Sequence, residues 1–252
     1  MAKFQVSFFL GLGAGPLLGG VLNDAFGFSS AFYAMAGLSA LSFLVIIAFL
    51  PETEGRSSSE RRTGSFFRAV GGQPAVLAVL AFTALNAMVR GAFLVFMPLF
   101  APGISVPPGE VGLVLTVSIF LMAIFQIPLG RMADRGKAPL MILAGSVVSA
   151  ASLGLILISE SFGDLFIAAS ANGLGSALMM PALMALTVKL GKKIGMGTSM
   201  GAYNTAMSLG MITAPLLGGL VMDSLSIDAV FLLGGAIGVG AALTLYLSTR
   251  RV

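Results

Sequence analysis

The feature that most constrains this chain is a five-residue segment, Pro-Leu-Leu-Gly-Gly, which stands at residues 16–20 and again at 215–219. The likeness extends to both sides of the two copies without a gap, at an offset of 199 residues. Matched residues are Gly11 and Gly210, Asp24 and Asp223, and Phe32 and Phe231. Each copy lies in an apolar helix that is followed by a short loop and a second apolar helix. A helix pair that recurs over this distance indicates a large duplicated unit.

The composition places this unit in a membrane. Hydrophobic residues make up 57% of the chain and charged residues 10%, whereas about a quarter of the residues in a soluble domain are charged. The mean hydropathy is +1.02, which is more apolar surface than a water-soluble core of this size can hide. The net charge of +4 is therefore interpreted by its placement relative to the lipid bilayer and not as a nucleic-acid footprint.

Cysteine and histidine are both absent from the sequence. Their absence excludes disulfides and cysteine-ligated metals, and it removes the usual metal ligand and the usual near-neutral proton carrier. Most known catalytic sites use histidine or cysteine and therefore cannot be formed by this sequence. We expect no enzyme activity, no metal site and no cofactor.

Eight segments are long enough to cross about 30 Å of hydrocarbon as helices of roughly 20 residues. They lie near residues 3–22, 29–50, 75–100, 110–130, 138–158, 163–188, 197–222 and 227–248. The sequence thus predicts an all-α membrane protein with eight transmembrane helices. A polar stretch at 51–73 reads as a cytoplasmic linker between a unit at 1–50 and a unit at 74–252.

Basic residues then predict the orientation. Walking through eight spans puts thirteen of the 14 basic residues on one side of the membrane, which the positive-inside rule makes cytoplasmic. We call this the basic side and expect both termini on it, in the cell membrane. The loops of the other side, the acidic side, carry no Lys or Arg, and their charged residues are Asp24, Glu110, Glu160, Asp164, Asp223 and Asp228.

The duplication also predicts the repeat unit. The first and second helices correspond to the seventh and eighth, so the unit has six helices, and an even number gives parallel repeats about an axis along the membrane normal. The third to eighth helices form one complete unit, and the first unit supplies only its last two helices. We therefore expect four helices, roughly 125 residues at this offset, to belong before residue 1 of a twelve-helix protein.

The glycine and proline pattern resembles the antiporter motif in the fifth helix of the major facilitator superfamily. The first helix carries it with Ala2 at the first glycine position, and the seventh with Ala214 before its proline. Glycines at four-residue spacing let another helix backbone approach closely, and proline permits a bend. We interpret the motif as a hinge and sealing face between two bundles; the alternative is tight packing within one bundle. The motif residues are Gly11, Gly15, Pro16, Gly19 and Gly20 in the first helix, and Gly201, Gly210, Pro215, Gly218 and Gly219 in the seventh.

Residues 130–137 resemble the signature loop between paired helices of the same family, one residue short between Arg135 and Gly136. The resemblance implies a cytoplasmic gate, in which the Asp134 carboxylate faces the positive start of a helix, that of the first helix in our interpretation. The alternative is a solvated loop that obeys the positive-inside rule. The gate residues are Gly130, Arg131, Asp134, Arg135, Gly136 and Lys137.

Arg90 is the one basic residue in the interior of a predicted span. An unpaired arginine there costs on the order of 3 kcal/mol, so a water-filled cavity or a partner is expected. Thr83, Asn86 and Arg90 form a polar stripe at helical spacing. We expect Arg90 to contact substrate or gate, with snorkelling and an interhelical bond as alternatives. The other cavity candidates, each weighed against a role as interhelical glue, are Gln126, Asn172, Ser176 and Asn204.

The resemblance covers family helices five to twelve and implies a partial major facilitator fold, monomeric in the family. It implies a secondary active transporter that moves a small organic solute by alternating access, with drug or metabolite efflux favoured over uptake of a sugar or other metabolite. A truncated, inactive fragment or one part of a split transporter is the further alternative. No Asp, Glu or His lies in the interior of a predicted span, since Glu110, Asp164 and Asp228 stand at span ends, so the sequence leaves proton coupling open.

Overall fold

The computed structural model describes residues 2–49 and 74–249, and the predicted linker at 51–73 lies outside the described residues. The described residues form eight α-helices and no strand. Their bounds are α1 Ala2–Phe26, α2 Phe28–Phe49, α3 Pro74–Phe100, α4 Pro108–Met132, α5 Ala138–Leu157, α6 Phe162–Ile194, α7 Met196–Ser224 and α8 Ile227–Thr249. A 3-10 turn, Ala101–Ile104, follows α3, and a π-turn, Ala133–Lys137, joins α4 to α5.

The helices confirm the prediction of an all-α membrane protein. Seven of the described helices, α2 to α8, are long and apolar enough to cross a membrane. The remaining helix, α1, has 25 residues, and at 1.5 Å per residue it is also long enough to cross a membrane. The chain is therefore a multi-pass membrane protein.

One boundary differs from the prediction by more than four residues. We expected the sixth helix to end near residue 188, before its lysines, but α6 continues to Ile194 and has 33 residues. The stretch from Lys189 to Ile194 contains no proline, and its lysines are good helix formers in water, so the single Gly191 does not end the helix. The helix ends only where Gly195 adopts a φ of +96°, a conformation that favours glycine.

The six helices α3 to α8 form one bundle. Helix α3 packs against α7 and α8, α5 packs against α6 and α8, and α6 also packs against α4 and α7. Outside the bundle, α1 packs along α4, and α2 packs chiefly against α1. No described residue of α2 is buried.

The core of the bundle is divided into two apolar clusters. The cluster towards the acidic side includes Phe93, Phe96, Leu153 and Phe231, and all four are at most 3% exposed. The cluster towards the basic side includes Phe82, Ile142, Leu183 and Leu245. Each cluster draws on α3, α5, α6 and α8. The stretch of each helix that lies between the clusters is the middle of the membrane-spanning bundle.

Candidate functional site

A layer of polar side chains separates the two apolar clusters. Its buried members on α5 are Ser146, Ser149 and Ser152, and on α6 it contains Asn172. Helix α3 adds Asn86, which is half-buried. We call these five residues the polar layer. Buried polar groups in hydrocarbon need partners, so the layer is held together by hydrogen bonds.

Met179 of α6 links one side of the layer. Its Sδ accepts from Asn86 Nδ2 at 3.3 Å and from Ser146 Oγ at 3.1 Å, so it bridges α3 and α5. A cavity of about 10 Å³ lies against Asn86, Ser146, Ser149 and Met179, which is close to the space that one water molecule needs. This side of the layer is therefore polar and slightly open.

Asn172 links the other side. Its Nδ2 donates to Ser149 Oγ at 3.1 Å and to Ser152 Oγ at 3.0 Å, and Ser152 Oγ donates in turn to the Ser149 carbonyl at 2.6 Å. The side chain is 6% exposed. This geometry favours a structural role, in which Asn172 holds α5 and α6 together, over contact with a substrate cavity.

An Asn172→Leu variant is expected to melt about 2–4 °C below the parent chain. Two hydrogen bonds between helices are lost, each worth about 0.6 kcal/mol in a membrane protein, and a chain of this size loses roughly 2–4 °C per kcal/mol. The measurement is thermal unfolding in detergent. Ser176→Ala is the control, because Ser176 is half-buried and no hydrogen bond to it is found among the described residues. An unchanged melting temperature for Asn172→Leu would contradict the linking role.

Arg90 lies next to the polar layer, one helical turn beyond Asn86 on α3. Among the residues that the structure describes, it is the one charged residue in the middle of a span. Its side chain is half-buried, although Val89 and Gly91 on either side are buried. The phenol of Tyr203 on α7 lies within electrostatic range of the guanidinium, and no carboxylate pairs with Arg90 among the described residues.

Thr83 completes the predicted stripe on α3 but does not face a cavity. It is buried, and its Oγ1 donates to the Val79 carbonyl of its own helix at 2.7 Å. The stripe therefore divides into an internally bonded residue, Thr83, and two residues, Asn86 and Arg90, that reach the interior of the bundle.

The remaining cavity candidates lie away from the layer or at its edge. Ser176 follows Asn172 by one turn on α6 and is half-buried. Gln126 lies towards the basic end of α4 and is also half-buried, while Asn204 is exposed on α7. The structure does not bring Gln126 and Asn204 into contact with the polar layer, and their cavity roles stay predictions.

The glycine motif of α1 faces in two directions. Gly20 contacts α4 so closely that an added Cβ would lie 2.7 Å from the Pro108 carbonyl oxygen. By contrast, Gly11, Gly15 and Gly19 have nothing within 4 Å of an added Cβ. One face of the motif is thus packed on α4. The other face, which carries Gly11, Gly15 and Gly19, is not packed against another helix among the described residues.

In α7 different glycines of the motif are packed than in α1. Gly210 is packed on α3, where an added Cβ would lie 2.8 Å from Ala87 Cβ, and Gly218 is packed on Phe96 of the same helix. Pro215 and Gly201 are exposed, and an added Cβ at Gly201 or Gly219 would meet nothing within 4 Å. Equivalent residues of the two copies therefore have different surroundings.

The signature loop is a tight connection at the basic end. Gly136 closes it with a φ of +83°, in the left-handed region that favours glycine. Gly130 approaches Pro181 of α6 at 3.8 Å from an added Cβ. The side chains of Arg131, Arg135 and Lys137 are exposed. That of Asp134 lies outside the described residues, so its contact with the start of α1 stays a prediction.

A larger apolar cavity, of about 510 Å³, lies between α1, α2 and the acidic ends of α3 and α4. It is lined by small and apolar residues, among them Pro16, Gly20, Phe32, Met35, Pro98 and Val111. It carries no charged side chain, which distinguishes it from the region of Arg90.

The family assignment rests on a comparison along the whole sequence. A family model described as Major Facilitator Superfamily matches residues 1–104 and 79–252. The chain belongs to this superfamily. The resemblance proposed from the glycine motif and the signature loop is therefore confirmed.

Individual relatives include proteins named as efflux pumps. An uncharacterized MFS-type transporter of Methanocaldococcus jannaschii is 24% identical over 100% of this chain and 66% of its own length. The multi-drug resistance efflux pump PmrA of Streptococcus pneumoniae is 30% identical over 56% of this chain and 36% of its own length. Multidrug resistance protein MdtG of Enterobacter lignolyticus is 24% identical over 94% and 58%. The chain thus spans two thirds or less of these relatives.

Sequence reasoning missed the three serines of the polar layer in this major facilitator chain. Ser146, Ser149 and Ser152 recur every three residues on α5, a spacing that puts them near one face of a helix. That spacing was an available signal. Nothing in the sequence context of Met179 indicates that its sulfur accepts two hydrogen bonds.

Proposed function

We propose that this chain forms the larger part of a secondary active transporter that moves a small organic solute by alternating access, in the direction of efflux. The observation that carries the proposal is the polar layer with Arg90 beside it, in the middle of a membrane-spanning bundle. Polar and ionisable groups at that depth are costly and mark substrate or ion pathways. Substrate sites of such transporters lie near the bilayer midplane. The relative that is named a multi-drug resistance efflux pump supports efflux, and the relative that is named a multidrug resistance protein is consistent with it.

Orientation is part of the proposal. At one end of the described helices stand Arg131, Arg135, Lys137, Lys189 and Lys192, and the charged residues at the other end are acidic. By the positive-inside rule the basic end is cytoplasmic, so both termini are cytoplasmic in the cell membrane. The proposed partners are a small-molecule substrate and the lipid bilayer.

Arg90 and Asn86 are the proposed solute contacts. Both side chains are half-buried, and Asn86 Nδ2 donates to Met179 Sδ at 3.3 Å beside the small cavity of the polar layer. Arg90 lies one turn further along the same helix face, between the buried residues Val89 and Gly91, which supports a position inside the bundle for both side chains. Arg90 offers a full positive charge and five N–H donors, and no carboxylate among the described residues neutralises it. We propose that it binds an anionic or hydrogen-bond-accepting group of the solute.

Transport is tested in membrane vesicles from cells that express the chain. Inside-out and right-side-out vesicles are incubated in parallel with a panel of fluorescent anionic and neutral drug-like solutes. We expect accumulation above vector controls in inside-out vesicles, because their cytoplasmic face points to the medium and efflux then moves solute into the lumen. Accumulation only in right-side-out vesicles would replace efflux by uptake. No accumulation in either orientation would contradict transport by this chain.

A further inference from the structure

The contact between α1 and α4 joins the two-helix unit to the six-helix bundle through backbone. An added Cβ at Gly20 would lie 2.9 Å from Gly109 Cα, and one at Gly112 would collide with the Pro16 carbonyl oxygen. Further along, Thr116 Oγ1 donates to the Gly13 carbonyl at 2.8 Å. Glycine on both helices lets the two backbones approach closely at the end near Gly20. The side chains of Ile119 and Phe120 on α4 pack against Gly13, at 3.4 Å from an added Cβ.

At its acidic end this contact finishes with a carboxylate on a helix start. Asp24 Oδ2, near the end of α1, accepts from the backbone N–H of Gly109 at 2.8 Å. Gly109 is the second residue of α4, and its N–H has no acceptor within its own helix. Pro107, the N-cap residue, supplies no side-chain cap. Asp24 therefore caps α4 from another helix, and its negative charge lies at the positive end of the α4 dipole.

The same arrangement is not present in the second copy of the repeat. Asp223 is the residue of α7 that matches Asp24, and its side chain is exposed. No hydrogen bond to it is found among the described residues. The repeated sequence alone does not create the cap; the crossing of α1 on α4 does.

We propose that Asp24 is a latch that holds α1 on α4 at the acidic end, and that its release accompanies opening of the transporter on that side. The inference rests on the proposed function, in which the two units part at one end of the membrane at a time. A charge-assisted hydrogen bond at an exposed helix start is weak enough to break in each cycle. Directly beneath it the close contacts are between glycine and backbone atoms, at Gly20, Gly109 and Gly112.

A single thiol measures the opening directly. The sequence has no cysteine, so Thr116→Cys introduces a unique thiol at a position that is 3% exposed and faces α1. The rate of its reaction with a maleimide is measured on the full chain in detergent, where the reagent reaches both ends. We expect Asp24→Ala and Gly109→Ala to raise this rate roughly fivefold, the factor that about 1 kcal/mol of helix-end interaction represents.

Two controls match these variants. Asp223→Ala removes the equivalent acid of the second copy. Gly103→Ala adds a Cβ near the start of α4, where nothing lies within 4 Å. Both are expected to leave the labelling rate unchanged. Thermal unfolding of each variant confirms that labelling reports the folded chain, and Asp24→Asn is used where Asp24→Ala lowers the melting temperature.

Unchanged labelling in Asp24→Ala and Gly109→Ala would overturn the latch, and so would an equal rise in the two controls. The labelling needs no solute, so it is independent of the transport assay. If the vesicles show no transport but labelling rises fivefold, the proposed transport function is contradicted, and the contact of Asp24 with the start of α4 is supported. Active transport with unchanged labelling would overturn the latch alone.

Discussion

A Gly210→Val variant is expected to melt roughly 6–12 °C below the parent chain, the shift that corresponds to about 3 kcal/mol of overpacking in a chain of this size. Gly210 is buried where α7 crosses α3. A Cβ at this position would collide with the Ala84 carbonyl oxygen and lie 2.9 Å from the Met88 nitrogen. These are backbone atoms, so the helices themselves must move apart.

Gly201→Val is the matched control. Gly201 belongs to the same motif on the same helix, but an added Cβ meets nothing within 4 Å, so its melting temperature is expected to stay within about 2 °C of the parent. Both variants are compared by thermal unfolding in one detergent. Equal shifts would show that the motif glycines act through helix propensity or bending and not through close packing.

Two pairs of matched glycines show where sequence reasoning ends. The duplication matches Gly11 with Gly210 and Gly20 with Gly219, and the sequence gives no reason to treat the members of a pair differently. In the structure Gly210 and Gly20 are packed, whereas Gly11 and Gly219 have open space. A motif predicts that a face suits close approach, but which helix arrives there depends on the tertiary arrangement.

Helix bounds were predictable because an apolar run of about 20 residues has one stable conformation in a bilayer. The end of α6 at Ile194 was not predictable from hydropathy, because the apolar run ends at the membrane surface whereas the helix continues beyond it. Close contacts such as Gly145 with Gly175, where an added Cβ would lie 2.6 Å from the facing carbonyl oxygen, were not predictable. Single glycines are common in membrane helices, and only the crossing point distinguishes these two.

The polar layer was half predictable for a related reason. An asparagine or an arginine in a span is rare enough to be noticed, so Asn86, Arg90 and Asn172 were identified. Serine is common in such helices and hydrogen-bonds to its own backbone. The serines of α5 become a layer only because Asn172 of α6 faces two of them.

An Arg90→Met variant is expected to lose transport at least about tenfold while keeping or raising its melting temperature. Losing one charged contact to the solute costs about 1.5–3 kcal/mol, and 1.4 kcal/mol is tenfold. Methionine is long and unbranched, so it fills much of the space that the arginine stem occupies. It also removes the cost of an arginine in the middle of the membrane, which is about 3 kcal/mol on insertion scales.

Transport rate and melting temperature together separate the three interpretations of Arg90. A solute contact predicts lost transport with an unchanged or higher melting temperature. Snorkelling towards the headgroups predicts little change in either quantity. A structural bond between α3 and α7, through Tyr203, predicts a lower melting temperature that Tyr203→Phe reproduces. Thr83→Val is the control on the same helix face, because the Thr83 hydroxyl bonds only to its own helix. Wild-type transport by Arg90→Met would remove this residue from the proposed site.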